Sequence, residues 1–206
     1  MPFTFGSVST VKGTAGNRSF SYTVDEGNDT CLVCGVGGGI PYNISTTYNG
    51  VSMTKVYQIS QHSVVGAFFY LLAPATGSNT LSVSWGGNAN YIIHVFAVYG
   101  INQRIPISSY LSTQGVTTSP SINAISSPDQ LMIDLLGKDA SSVSPGPGQT
   151  FLAAGYQHTY ANGMSYEVAK DTTTTMSWTS NLNSNYNLGV VPFNPAPAAA
   201  GTPIWF

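Results

Sequence analysis

Three histidines, eight carboxylates and two cysteines are the scarce acid–base, thiol and metal-binding groups of this 206-residue chain. A Ser-His-Asp hydrolase needs a base poised beside a nucleophile. His94 lies inside the apolar run Tyr91-Ile92-Ile93-His94-Val95-Phe96 and reads as a core residue with its ring nitrogens satisfied. His158 stands between Tyr156 and Tyr160 and reads as part of an aromatic surface stripe. His62, in Ser60-Gln61-His62-Ser63, reads as a solvated turn. There is no Gly-x-Ser-x-Gly elbow, and serine is too abundant for any one of them to stand out.

Glycoside hydrolysis needs two carboxyl groups facing one cleft. Only Asp134 and Glu167 fall in strand-like runs, where they could meet across two sheets. A pair drawn from eight acids has little specificity, so no catalytic residue is assigned and the chain is read as non-enzymatic. Cys31 and Cys34 lie in Cys-Leu-Val-Cys with no second ligand pair for zinc. On a strand they point to opposite faces, which opposes a mutual disulfide and leaves two small buried thiols. Asp25-Glu26-Gly27-Asn28-Asp29 is the densest oxygen cluster, and it reads either as a calcium loop without EF-hand spacing or as a hairpin tip. Gly35 to Gly39 lacks the Lys-Ser/Thr and helix of a phosphate loop. The Asn-x-Ser/Thr sequons at Asn17, Asn28 and Asn43 matter only in a eukaryotic secretory setting. No cofactor and no metal ligand is expected.

Composition narrows the partners. Charged residues make up 7% of the chain, against about 25% in ordinary soluble domains. A net charge of -2 excludes the basic footprint of a nucleic-acid binder. Hydrophobic residues at 42% exclude disorder, and no apolar run is long enough for a membrane helix. Met1 to Phe5 has neither a charged nor an apolar leader region, so no signal peptide is expected. Tyr42, Tyr48, Tyr110, Tyr156, Tyr160 and Tyr186 fall near loops or on polar faces. They are candidates for an interface, for packing within the chain, or for a glycan platform.

The elements that would position these groups are strands. Ser19 to Val24 and Thr80 to Trp85 alternate at period 2. Thr30 to Val36, Val64 to Leu72, Tyr91 to Tyr99 and Gln130 to Leu136 are continuously apolar, as in central strands covered on both faces. Asn49-Gly50 and Asn162-Gly163 predict tight hairpin turns. With Phe151 to Tyr160, Met164 to Lys170 and Thr173 to Thr179, the count is about a dozen strands. The expectation is all-β: a two-sheet antiparallel β-sandwich of jelly-roll type, 1–191, with an extended Pro/Ala-rich C-terminal arm, 192–206. One domain is preferred to a split near Pro120 to Pro128, because either half alone would leave its apolar strands half covered. The arm holds Pro195 and Pro197 and ends in Ile204, Trp205 and Phe206. Such a tip is costly to leave in water, so it folds back or inserts into a neighbouring subunit as an assembly arm.

The runs Thr47-Tyr48-Asn49-Gly50-Val51-Ser52-Met53-Thr54, Phe69 to Ser78 and Leu81-Ser82-Val83-Ser84-Trp85 carry a resemblance. It continues through Tyr99 to Gln103, Ser165-Tyr166-Glu167 and Ser177-Trp178-Thr179. The chain resembles Ser/Thr/Gly-rich β-sandwich modules of tailed-phage virion structural proteins and of bacterial surface proteins. The resemblance covers about half the chain in turn-and-core patterns and implies a structural or adhesive role, with no functional residue carried over. The expectation is a virion protein on the phage particle surface, head-decoration (cement) first and tail-surface or fibre second. Its partners would be itself, as a homo-oligomer around a three-fold, and other virion proteins. The alternatives are an extracellular carbohydrate-binding or adhesion module, and a filament subunit.

Overall fold

The computed structural model describes residues 3–39 and 43–198. These residues form eighteen strands and no helix. The first ten are β1 (Thr4–Phe5), β2 (Ser9–Ala15), β3 (Arg18–Val24), β4 (Cys31–Gly38), β5 (Ser45–Tyr48), β6 (Val51–Ser52), β7 (Thr54–Gln61), β8 (Val64–Leu72), β9 (Gly77–Ser84) and β10 (Ala89–Tyr99). After an irregular connection come β11 (Leu111–Thr117), β12 (Ser121–Ile125), β13 (Leu131–Asp139), β14 (Val143–Pro145), β15 (Thr150–Gln157), β16 (Tyr160–Val168), β17 (Thr173–Ser180) and β18 (Ser184–Phe193). Every pairing is antiparallel.

The expected antiparallel sandwich is present in doubled form, as four sheets in four layers. One sheet runs β10-β4-β8-β7, with β1 and β2 sharing the free side of β10, and it packs on β3-β9-β5-β6. The other pair is β11-β18-β13-β16-β15 over β12-β17-β14. Alternation along β4 shows why three cores form. Leu32, Cys34 and Val36 face the N-terminal core, while Cys31 and Val33 face a seam between the two sandwiches. On β13, Leu131, Ile133 and Leu135 face the same seam, and Met132 and Leu136 face the C-terminal core. The continuously apolar strands are thus those buried on both sides. The chain divides in the connection 100–110 and not near Pro120 to Pro128, and each half covers the other's open face.

Eight strands of the first half recur in order in the second; β1 is reduced there to the bridge between Ile107 and Phe193, and β6 has no counterpart. Cys31 pairs with Leu72 and Gly37 with Gly66; in the second half Leu131 pairs with Val168 and Gly137 with Asn162. The β-bulge between Lys55 and Tyr57 recurs between Phe151 and Ala153. Positive φ falls at Asp29 and Asp129, and at His62 and His158. The seam is likewise reciprocal: β2 lies against β15 as β11 lies against β7, and β10 against β16 as β18 against β8. This is pseudo-two-fold packing within one chain.

One end of the seam is aromatic, with Phe68, Phe96 and Phe193; the other is polar and lined by glycine. A Cβ at Gly37 would fall 2.0 Å from the Asn162 amide nitrogen, and one at Gly66 would fall 2.3 Å from Asn187 Oδ1. Only glycine lets these strands approach the opposing amides. Both Asn162 amide atoms, Asn187 Oδ1 and Tyr57 Oη have no hydrogen-bond partner among the described residues.

Two local expectations are corrected. Asn49-Gly50 is a tight turn, with φ of 48° and 76°, but Asn162-Gly163 is buried within β16. The turn before it is at His158, because the seam takes Asn162 as a buried residue and leaves the exposed His158-Thr159 to reverse the chain. Pro192 and Phe193, placed in the arm by sequence, are the last residues of β18, opposite Met132 and Leu131. Proline is tolerated there because the position needs no ladder N–H: at Ala97, its counterpart on β10, the N–H goes to the Tyr22 hydroxyl instead.

Candidate functional site

The buried groups that could carry chemistry, His94, Asp134, Lys138 and the two cysteines, are held in the core. His94 is fully buried at the seam. Its Nε2 lies 3.2 Å from the Asn162 carbonyl, which only accepts, so Nε2 carries the proton and Nδ1 accepts from the Thr10 hydroxyl at 2.9 Å. Burial lowers its pKa to about 4, so it is neutral, and the one hydroxyl at its ring is that of Thr10 on β2. His62 and His158 stand at exposed turns, and the latter is not on a strand face. Cys31 and Cys34 are free, buried and on opposite faces of β4. Burial pushes both thiols far up, so neither is a thiolate.

Asp134 is fully buried in the C-terminal sandwich. Its Oδ1 accepts from the Ser165 N–H and hydroxyl, both at 2.8 Å. Its Oδ2 accepts from Trp178 Nε1 at 2.7 Å and Gln149 Nε2 at 3.1 Å. Burial pushes the carboxyl up to about 7, with these donors pulling the other way. Glu167 lies on the neighbouring strand β16, in the same sheet and not across two. With no exposure and all four acceptor sites filled, Asp134 is a pin for the core, and the pair is no catalytic dyad. Lys138, also buried, donates to the carbonyls of Thr117 (2.6 Å) and Ser184 (3.0 Å) and to the Ser184 hydroxyl (3.2 Å). It ties β13 to β11 and β18.

The Asp25–Asp29 loop borders an open cleft of about 410 Å³ with Phe5 and Tyr99. No group of three or more His, Cys, Asp or Glu among the described residues is placed to hold a metal ion. The loop's carbonyls are used within the chain: Gly27 by Thr30 Oγ1, Asn28 by the Gly100 N–H and Asp29 by the Ile101 N–H. It is not a hairpin tip: β3 and β4 lie in different sheets, and the loop is the crossover between them.

Among the candidate tyrosines, Tyr48 and Tyr186 are buried, Tyr156 and Tyr160 are half-buried, and Tyr110 is exposed; Tyr42 lies outside the described residues. Tyr110 belongs to a group of apolar side chains at the free edge of the C-terminal sandwich. With Ser109, Leu111, Ala124, Ile125 and Pro192 it lines a notch between β11 and β12. Ile125 is 77% exposed. Of the assembly arm, Pro195 is bridged to Ile101, and the Ala196 N–H donates to the Gly100 carbonyl at 2.7 Å. Pro197 lines an open groove with Asn102, Arg104 and Ile105. Ile204, Trp205 and Phe206 lie outside the described residues. Sequence reading missed Leu111 and Ile125 because each sits in a polar run, and only the sheet edges reveal that they stand uncovered together.

The chain matches no protein-family model, no curated protein and no solved structure.

Proposed function

We propose that this chain is a non-enzymatic structural protein of a tailed-phage virion. Head decoration is the first role and a tail-surface or fibre position the second. It acts as a rigid double sandwich that self-associates around a three-fold and docks on the particle surface. We read each sandwich as a jelly roll, on the order β2-β10-β4-β8 over β3-β9-β5-β6 and its counterpart in the second half. The observation that carries the functional reading is that three of the nine large apolar side chains exposed among the described residues, Tyr110, Leu111 and Ile125, line one notch. Ile105, Tyr110, Leu111 and Ile125 stay in solvent at the edge and connection of the C-terminal sandwich, in a chain with few charges. Apolar side chains gathered on a neutral surface favour packing against other protein.

Light scattering on the full-length chain beside one ending at Ala198 tests this. The shorter chain keeps Asn194 and Ala196, whose backbones are hydrogen-bonded to Asn102 and Gly100. An oligomer that falls to single-chain mass without residues 199–206 is the expected result. Two monomers would overturn self-association. The cleft walled by Phe5 and Tyr99 and rimmed by Asp25, Glu26, Asn28 and Asp29 favours a second reading, an extracellular carbohydrate-binding module. A glycan array without signal removes that reading.

A further inference from the structure

The two halves treat one position differently. In the N-terminal sandwich, Tyr22 on β3 fills the opening between β2 and β3 and is only 5% exposed. Its hydroxyl donates to the Ser7 carbonyl at 2.6 Å and accepts the Ala97 N–H at 3.1 Å. The register of the repeat places Ala124 at the site of Tyr22, Pro192 at that of Ala97, and Ser109 at that of Ser7. The Ala124 position supplies no phenol, and the opening is the notch lined by Ser109, Tyr110, Leu111, Ala124, Ile125 and Pro192. Proline has no N–H, so a ring entering the notch needs no acceptor. An apolar ring with a single donor, aimed at the carbonyl of Ser109, would reproduce what Tyr22 does. That description fits indole, which donates and does not accept.

We propose that this notch is the receptor for Trp205 of a second copy of the chain. The inference rests on the self-association reading above and names its contact. Trp85 and Trp178 are buried in their own sandwiches, which leaves Trp205 as the indole without a place in the described core. Residues 199–206 carry no charged side chain, and together they span up to about 28 Å when extended. Neither the notch lining nor residues 199–206 carry a charged side chain to oppose that contact.

Two full-length variants separate receptor from plug. Ala124→Tyr fills the notch from within, as Tyr22 does in the other half, and keeps the tail. Trp205→Ala keeps the notch and removes the plug. Each alone is expected at single-chain mass by light scattering, at concentrations where the wild type assembles. An equimolar mixture is expected to form a one-to-one complex, because one notch and one Trp205 remain. Leu111→Glu, at the half-exposed lip, repeats the block without touching the core if Ala124→Tyr lowers the melting temperature. Blocked variants that still assemble like wild type would overturn the notch and leave self-association standing. A wild type that stays monomeric at all concentrations would overturn both. A mixture that fails to associate while the wild type assembles would overturn the pairing of Trp205 with this notch.

Discussion

At the middle of β4 the N-terminal sandwich carries Cys34, and at the same register of β13 the C-terminal sandwich carries Asp134. The neighbours change with them. Around Cys34 stand Met53, Phe69 and Val83; around Asp134 the equivalent positions are Gln149, Ser165 and Trp178, and all three donate to the carboxyl. One backbone thus accommodates a dry core and a hydrogen-bonded one. The four residues differ as a set, because a partial set would bury donors or a carboxylate without partners. Lys138 against Gly38 continues the pattern at the strand end. What the repeat keeps is what the backbone demands: Asp29 and Asp129 at positive φ, Gly37 and Gly137 at the seam, and His62 and His158 at turns.

The largest test of this comparison is to part the halves within the connection 102–105. Each half would then expose its seam, with Phe68 and Phe96 on one side and Leu131, Ile133 and Phe193 on the other. Neither fragment is expected to stay monomeric and soluble alone, and co-expression should restore a one-to-one complex on gel filtration. Two well-behaved monomers would mean that the seam is dispensable.

Next comes the contrast between the two cores. Asp134→Ala leaves the Ser165, Trp178 and Gln149 donors buried without an acceptor, and should cost about 4 kcal/mol. Cys34→Ala loses one sulfur in an apolar core and should cost about 1 kcal/mol. Urea midpoints measure both, and equal losses would refute the contrast.

Acid should act with opposite sign on Asp134 and His94, two buried groups that titrate at or below neutral pH. Asp134 has a folded pKa near 7 against 3.8, so the folded state holds the extra proton between those values. That contribution is complete at low pH and is lost as pH rises toward 7. His94 has a folded pKa near 4 against 6.5, so its contribution is complete above 6.5 and is lost as pH falls toward 4. In the wild type the two slopes oppose each other. Asp134→Asn should leave stability falling with acid across pH 6.5 to 4, and His94→Gln should leave it rising. Neither slope should exceed about 1.4 kcal/mol per pH unit. Matching slopes in both variants would contradict the assignment.

The smallest expected effect is at the notch position. Tyr22→Phe keeps the ring but unpairs the Ala97 N–H and the Ser7 carbonyl, at about 1 kcal/mol. Ala97→Pro removes that donor, as Pro192 does in the other half, and should reduce the penalty of Tyr22→Phe when combined with it. Strict additivity of the two would mean that the hydroxyl is not there for that N–H.

Much of this was legible in residue order. Val64 to Leu72 coincides with β8, and Asn49-Gly50 is the turn it promised, because period, β-branching and φ preference act locally. Cys31 and Cys34 were read as free buried thiols, His94 as a satisfied core residue and His62 as a turn, and all three readings hold. The repeat was not legible. Its halves agree mainly at turns and at close approaches, while Cys34 and Asp134, or Tyr22 and Ala124, share no chemistry.

Sequence alone determined that the chain is antiparallel β throughout and which strands are covered on both faces, since alternation and apolar runs record the burial of each face. Tertiary structure decided what covers them. The cover is a second copy of the same sandwich, packed about a pseudo-two-fold seam. It also decided that Asn162-Gly163 is interior, that Pro192 ends a strand, and that Leu111 and Ile125 border one opening. Each depends on contacts between residues far apart in the chain, and no local propensity carries that information.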